Sequence, residues 1–169
     1  MTNAINDLGK EKALGPDGFN IAFFQHCRDA VKGDLMVFFS DFHARGVFHK
    51  SLNATFLCLI PKMAGANNVT KFRPISLVGS VYKILAKVLA SRLRKVVGEV
   101  VSPNQHAFIL GHQILDASLT ANECIDFYLK SNQSGILCKL DIEKAYDHVS
   151  WSFLKVTLKK MGFSCKWRS

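Results

Sequence analysis

An α+β fold is expected from this sequence on three observations. Apolar residues recur at three- and four-residue steps in several stretches, as in helices with one buried face. Two short runs of strand-forming residues flank a polar loop and read as a hairpin. A further run, Ile136 to Ile142, alternates in the manner of a strand covered on one side. The 169 residues suit one domain or a large piece of one, and a hydrophobic share of 49% is enough to bury a core, which excludes global disorder.

Gly15-Pro16-Asp17-Gly18 is a turn cluster, since proline presets one dihedral angle and glycine tolerates positive φ. From Phe19 to Phe48 two helices are expected. Phe23, Phe24, Cys27, Val31, Leu35, Phe38, Phe39 and Phe42 make one buried stripe across them, with Lys32-Gly33 as the weak point between. Thr55 to Ile60 is a strand stopped by Pro61, pairing with Phe72 to Leu77 across the loop Met63 to Lys71. Ser80 caps a helix whose apolar face is Val81, Ile84, Leu85, Val88, Leu89 and Val96, while Lys83, Lys87, Arg92, Arg94 and Lys95 crowd the remaining surface. After the breaker Ser102-Pro103-Asn104, a helix is expected over Ile114 to Leu129, ending in the polar turn 130–135. In the run that follows, Ile136, Cys138, Leu140 and Ile142 share one face and Leu137, Lys139 and Asp141 the other, so Asp141 points out of the core at the strand's end. Ser150 caps a last helix with Trp151, Leu154, Leu158 and Met161 on one face, and Gly162 sits where a left-handed residue closes it.

Lys and Arg number 22 against 13 Asp and Glu, a net charge of +9 that attracts phosphate backbones or anionic surfaces, and that a merely solvated basic surface would also produce. The five cysteines form no C-x-x-C pair and have no histidine at zinc-finger spacing; Cys58 and Cys138 lie in apolar runs and are expected as reduced core residues. Residues 1–7 lack a signal-peptide pattern, and no apolar run reaches membrane-spanning length. The expectation is an intracellular chain, nuclear or cytoplasmic, with no membrane partner.

Asp141, followed by Glu143 and Asp147 within a turn, offers the hard oxygen donors that Mg²⁺ takes, although acidic residues at strand ends are also common in loops that bind nothing. The wider context narrows this. Lys139-Leu140-Asp141-Ile142-Glu143-Lys144-Ala145-Tyr146-Asp147, with Trp151 and Gly162-Phe163 downstream, resembles the first palm motif of non-LTR (LINE-type) retrotransposon reverse transcriptases. Lys12-Ala13-Leu14-Gly15-Pro16-Asp17-Gly18-Phe19, Leu59-Ile60-Pro61-Lys62, Phe72-Arg73-Pro74-Ile75-Ser76-Leu77 and Gln105-His106-Ala107-Phe108-Ile109-Leu110-Gly111-His112 resemble that family's successive fingers blocks, in order. The resemblance covers nearly the whole chain and is nearest to plant members.

It implies a partial fingers and palm domain: a helical front at 1–50, the fingers β-hairpin and connecting helices at 51–135, and the first palm strand plus helix at 136–169, with no thumb and no endonuclease. The activity implied is RNA-directed DNA polymerisation, in which two Mg²⁺ (or Mn²⁺) ions carry nucleotidyl transfer among an RNA template, a DNA primer and a dNTP. Asp141 matches the first metal-binding catalytic aspartate, with the carbonyl of Ile142 as a further ligand. Tyr146 matches the aromatic beneath the sugar, its alternative being an ordinary core aromatic. Lys62 and Arg73 match the cations that hold the triphosphate, and the hairpin gives them a way to converge. The basic helix bearing Lys83, Lys87, Arg92 and Arg94 either touches template and primer phosphates or is a solvated face. Gln105 resembles a residue near template and nucleotide, Phe108 is expected to pack, and Asp147 is expected to hold its turn through side-chain-to-backbone bonds.

The chain departs from the family in three ways. No Asp-Asp dipeptide, the family's source of the remaining catalytic carboxylates, occurs between Met1 and Ser169. Leu14 stands where the family has proline, and His112 where it has arginine, replacing a permanent cation with a group mostly neutral at pH 7. With Met1 falling inside the region before the first block, the expectation is a fragment that binds metal weakly and is inactive alone. The alternatives are a non-catalytic nucleic-acid-binding remnant and a pseudogene product whose exposed apolar surface aggregates.

Overall fold

Among the described residues, eight apolar side chains are buried: Ala4, Ile5, Leu8, Ile21, Phe24, Leu35, Ile84 and Leu85. The computed structural model describes residues 2–142 and 144–168, so Glu143 of the acidic turn and the Met1 start lie outside the described residues. The chain mixes helices with one two-stranded antiparallel sheet, and it divides into two units, Met1–Leu93 and Arg94–Ser169.

The first unit contains α1 (Thr2–Asn6), α2 (Ile21–His26), α3 (Arg28–Arg45), β1 (Thr55–Pro61), β2 (Phe72–Val78) and α4 (Ser80–Leu93). Its core joins Ile5 and Leu8 to Ile21 and Phe24 of α2, Leu35 of α3 and Ile84 of α4, with Phe23, Val31, Phe39 and Val81 packed at the margin. Each fully covered aliphatic side chain stabilises the unit by roughly 1.5–3 kcal/mol relative to exposure. The expected aromatic stripe is thus only partly buried, and Cys27 is exposed. The break between the two front helices falls at Cys27 (φ −91°, ψ 23°), and α3 runs through Lys32-Gly33. A glycine inside a helix costs only about 1 kcal/mol, which the packing of Leu35 and Phe39 offsets. On either side of the break, the Gln25 amide donates to the carbonyls of Ile5 (2.9 Å) and Leu8 (3.2 Å), and Arg28 donates to the Thr2 hydroxyl (3.0 Å).

The hairpin forms in the register Thr55↔Val78 to Pro61↔Phe72, so Pro61 ends β1 from within it. A two-stranded ribbon leaves each strand an unpaired edge, where a proline's missing N–H is no loss. Every residue of β1 is exposed. Cys58 is therefore not a core residue, because neither face of the ribbon is covered.

Ser80 begins α4 and is fully buried, but its hydroxyl is not the cap. The carboxylate of Asp17 accepts the Ser80 N–H, while the Ser80 hydroxyl donates to the Phe19 carbonyl at 2.6 Å. The helix ends at Leu93, which leaves Arg94, Lys95 and Val96 beyond it and removes Val96 from its apolar face.

The second unit contains α5 (Val97–Val100), α6 (Ile114–Lys130), α7 (Trp151–Lys160) and α8 (Cys165–Arg168). The Gln113 N–H donates to the Asp116 carboxylate (2.8 Å) at the start of α6, and Asn132, at φ 48°, closes its end. Ser150 caps α7 by accepting the Phe153 N–H (3.3 Å). Gly162, at φ 86°, ends it with the Phe163 N–H reaching the Leu158 carbonyl (3.0 Å).

The strand expected over 136–142 does not form among the described residues. A strand exists through its neighbours' hydrogen bonds, and β1 and β2 pair with each other, leaving this segment without a partner. It has no regular secondary structure and is open, with Ile136 97% exposed and Cys138 exposed rather than in a core. No described residue from 94 to 168 is buried. No described helix is long and apolar enough to cross a membrane.

Candidate functional site

The hairpin's register decides where its cations stand. Arg73 is the cross-strand partner of Ile60. Lys62, one residue past β1, continues the pairing by donating its N–H to the Lys71 carbonyl at 2.8 Å. Cross-strand partners share a face, as do residues two apart. Lys62 and Arg73 therefore stand near one another at the same end of the ribbon, Arg73 opposite Ile60 and Lys62 just past Pro61. The Lys62 ammonium donates to the Thr70 carbonyl (3.0 Å), and the exposed Arg73 guanidinium has no partner among the described residues. A forked donor beside a point charge suits a polyphosphate.

The base of this ribbon is built from the turn at 13–19. Gly15 is buried, and a Cβ there would collide with the backbone carbonyl of Val78, the last residue of β2. Asp17 holds the Ser80 N–H, and the Lys83 ammonium donates to the Ala13 carbonyl at 2.6 Å. Sequence reading found the turn but not its partner, since the Asp17–Ser80 bond spans 63 residues and no local pattern announces it.

The α4 cations divide into two sets. Lys83 is tied to Ala13, and Lys87 lies 3.8 Å from the Asp7 carboxylate, both lysines half-buried. Arg92 at the end of the helix, and Arg94 and Lys95 after it, are exposed without a partner among the described residues.

In the second unit, Asp141 and Ile142 are exposed in the irregular segment, and Tyr146 is 88% exposed, which overrules an ordinary core aromatic. The turn after them is held by backbone bonds, from the Asp147 N–H (2.9 Å) and the His148 N–H (3.2 Å) to the Lys144 carbonyl, rather than by the Asp147 side chain. The Gln105 side chain donates to the Ala107 carbonyl (3.2 Å) within its own loop, and the Gln105 carbonyl meets His112 Nδ1 at 2.8 Å. Phe108 does not pack: it has φ 64° and is 92% exposed, because the turn that holds it has no neighbouring element over it.

The donors at 141–142 are of the kind a Mg²⁺ ion takes, a carboxylate and a carbonyl oxygen. Among the described residues no three of His, Cys, Asp or Glu gather.

A family model described as reverse transcriptase (RNA-dependent DNA polymerase) matches residues 60–169. The chain is 30% identical over 163 residues, 96% of its length, to the Transposon TX1 uncharacterized 149 kDa protein of Xenopus laevis, of which it covers 12%. It is 27% identical over 158 residues, 90% of its length, to the Retrovirus-related Pol polyprotein from type-1 retrotransposable element R2 of Popillia japonica, of which it covers 20%. The chain thus spans a fifth or less of the length of these curated relatives.

Proposed function

Because the chain belongs to the reverse transcriptase (RNA-dependent DNA polymerase) family, of the non-LTR retrotransposon kind, we propose that it forms the nucleotide-entry part of an RNA-templated DNA polymerase. The observation that carries this reading is the hairpin register, which brings Arg73 opposite Ile60 with Lys62 just past Pro61 at the same end of the ribbon. There they clamp the triphosphate of an incoming dNTP, opposite charges at short range being the main attraction available on an exposed ribbon. Residues 1–50 form the helical front, 51–135 the fingers with connecting helices, and 136–169 the start of the palm.

Asp141 and the Ile142 carbonyl contribute to a divalent-metal site, and Tyr146 lies under the sugar. Bound metal ions would activate the primer hydroxyl and stabilise the leaving pyrophosphate. One carboxylate does not hold two such ions, so we assign no completed transfer step to these residues. Primer extension by the 169-residue chain on an RNA template, with Mg²⁺ or Mn²⁺, is expected to give no product; sustained metal-dependent synthesis would overturn this incompleteness. Binding of a dNTP is expected to weaken about tenfold or more on Lys62→Ala or Arg73→Ala, as for lost charge-assisted hydrogen bonds.

A second reading is favoured by a separate observation, the unpartnered exposed cations Arg92, Arg94 and Lys95 on a chain of net charge +9. In that reading the chain binds RNA or primer phosphates without catalysis, and Lys83 and Lys87 take a lesser part because each has an internal partner. Binding of single-stranded RNA would survive Asp141→Asn, and each of Arg92→Glu and Arg94→Glu would lower the salt dependence by about one unit of slope.

A further inference from the structure

We propose that Asp17 is a positioning residue for Lys62 and Arg73, acting through the base of the β1–β2 arm. This rests on the reading of those two cations as the triphosphate clamp.

The arm is exposed along β1 and over most of β2, becoming half-buried at Leu77 and Val78 and fully buried at Gly79 and Ser80. Packing along its length therefore does not set its direction; the base does. Three contacts from the 13–19 turn converge there. The Asp17 carboxylate takes the Ser80 N–H, the Phe19 carbonyl takes the Ser80 hydroxyl, and the Ala13 carbonyl takes the Lys83 ammonium. Gly15 lies against the Val78 carbonyl with no room for a side chain, and Gly79 faces the Asp17 carboxylate less closely, a Cβ there standing 3.0 Å from its oxygen.

Leverage makes this base matter. Arg73 stands five residues up the strand from Val78, about 17 Å at the usual rise. A tilt of about 10° at the base would move it by about 3 Å, enough to lose a geometry-dependent contact. The second oxygen of Asp17 is buried without a hydrogen-bond partner among the described residues. The lock therefore depends on one acceptor oxygen in the right place rather than on the charge, and asparagine, which keeps such an oxygen, would preserve it.

The test uses the isotope-labelled 169-residue chain, with amide hydrogen exchange as one measurement and titration with dGTP and Mg²⁺ as the other. Asp17→Ala is expected to speed exchange at Ser80 and along β2 about tenfold and to weaken dGTP binding about tenfold, with the Ile21 and Ile84 amides within about twofold of the parent. Asp17→Asn stays within about twofold of the parent in both measurements. Should Asp17→Ala fail to fold, Lys83→Met loosens the same base from its exposed side and is expected to give about threefold effects in the same direction. Lys62→Ala combined with Arg73→Ala removes dGTP binding and leaves exchange at Ser80 unaltered. If that double variant loses dGTP while the base variants bind normally, the role of Asp17 is overturned and the clamp stands. Equal losses in Asp17→Ala and Asp17→Asn overturn the positioning role as well. Nucleotide binding that ignores the double variant overturns the clamp, and the role of Asp17 toward it.

Discussion

Ile84 has no exposed surface and touches the side chains that tie α4 to the front of the chain. Ile84→Ala is expected to cost about 2–5 kcal/mol in urea unfolding, the range for emptying a packed aliphatic site. Tyr146, almost wholly exposed, should behave oppositely: Tyr146→Ala changes stability by less than about 0.5 kcal/mol in the same measurement. A larger loss would mean that the ring is packed after all. The two residues also mark what could be read from letters alone. Ile84 sat on a helical apolar stripe, a pattern that repeats and so identifies a buried face. Tyr146 and Phe108 lie in turns, where no period says whether a ring is covered, and only the surroundings decide. Ile5 and Leu8 were missed for a related reason: α1 has five residues, too few for a period to stand out.

At the scale of elements, ends are chemical and therefore legible. The serine before α7 and the glycine after it were recognisable because a cap is a property of one residue and its immediate neighbours. Ser150→Ala is expected to lower stability of α7 by about 1 kcal/mol, seen as faster exchange in its first turn. Gly162→Ala, which forces a Cβ into a φ of 86°, should cost about 1–2 kcal/mol at the other end. The run 136–142 shows the opposite case. Its alternation is real, yet a strand is a relation between segments, and its pattern could not supply the partner. The hairpin succeeded where that run failed because its two halves sit eleven residues apart, by the bounds of β1 and β2, and bring their own partner.

At the scale of the whole chain, the hydrophobic content suggested one core, and among the described residues the burial lies in the first unit alone. Composition counts apolar surface; it does not say what will cover it. Exposed apolar side chains such as Leu115, Phe127, Trp151 and Phe153 remain on α6 and α7. The slowest-exchanging amides are therefore expected among residues 2–93, with the helices of 94–168 exchanging much faster, and environment-sensitive dyes should bind the chain under native conditions. Uniform protection across both units would contradict this distribution.

The contact at Gly15 has a genetic consequence. Any missense change in a glycine codon adds at least a Cβ on the α-carbon, and at this position that carbon has nowhere to go. Copies of the element decaying without selection would accumulate such changes there as freely as in the exposed loop around Ala64 and Asn67. Copies maintained by selection would not. Sequencing sister copies and counting substitutions at these two places would therefore show whether selection acts on the arm, without a single assay of the protein.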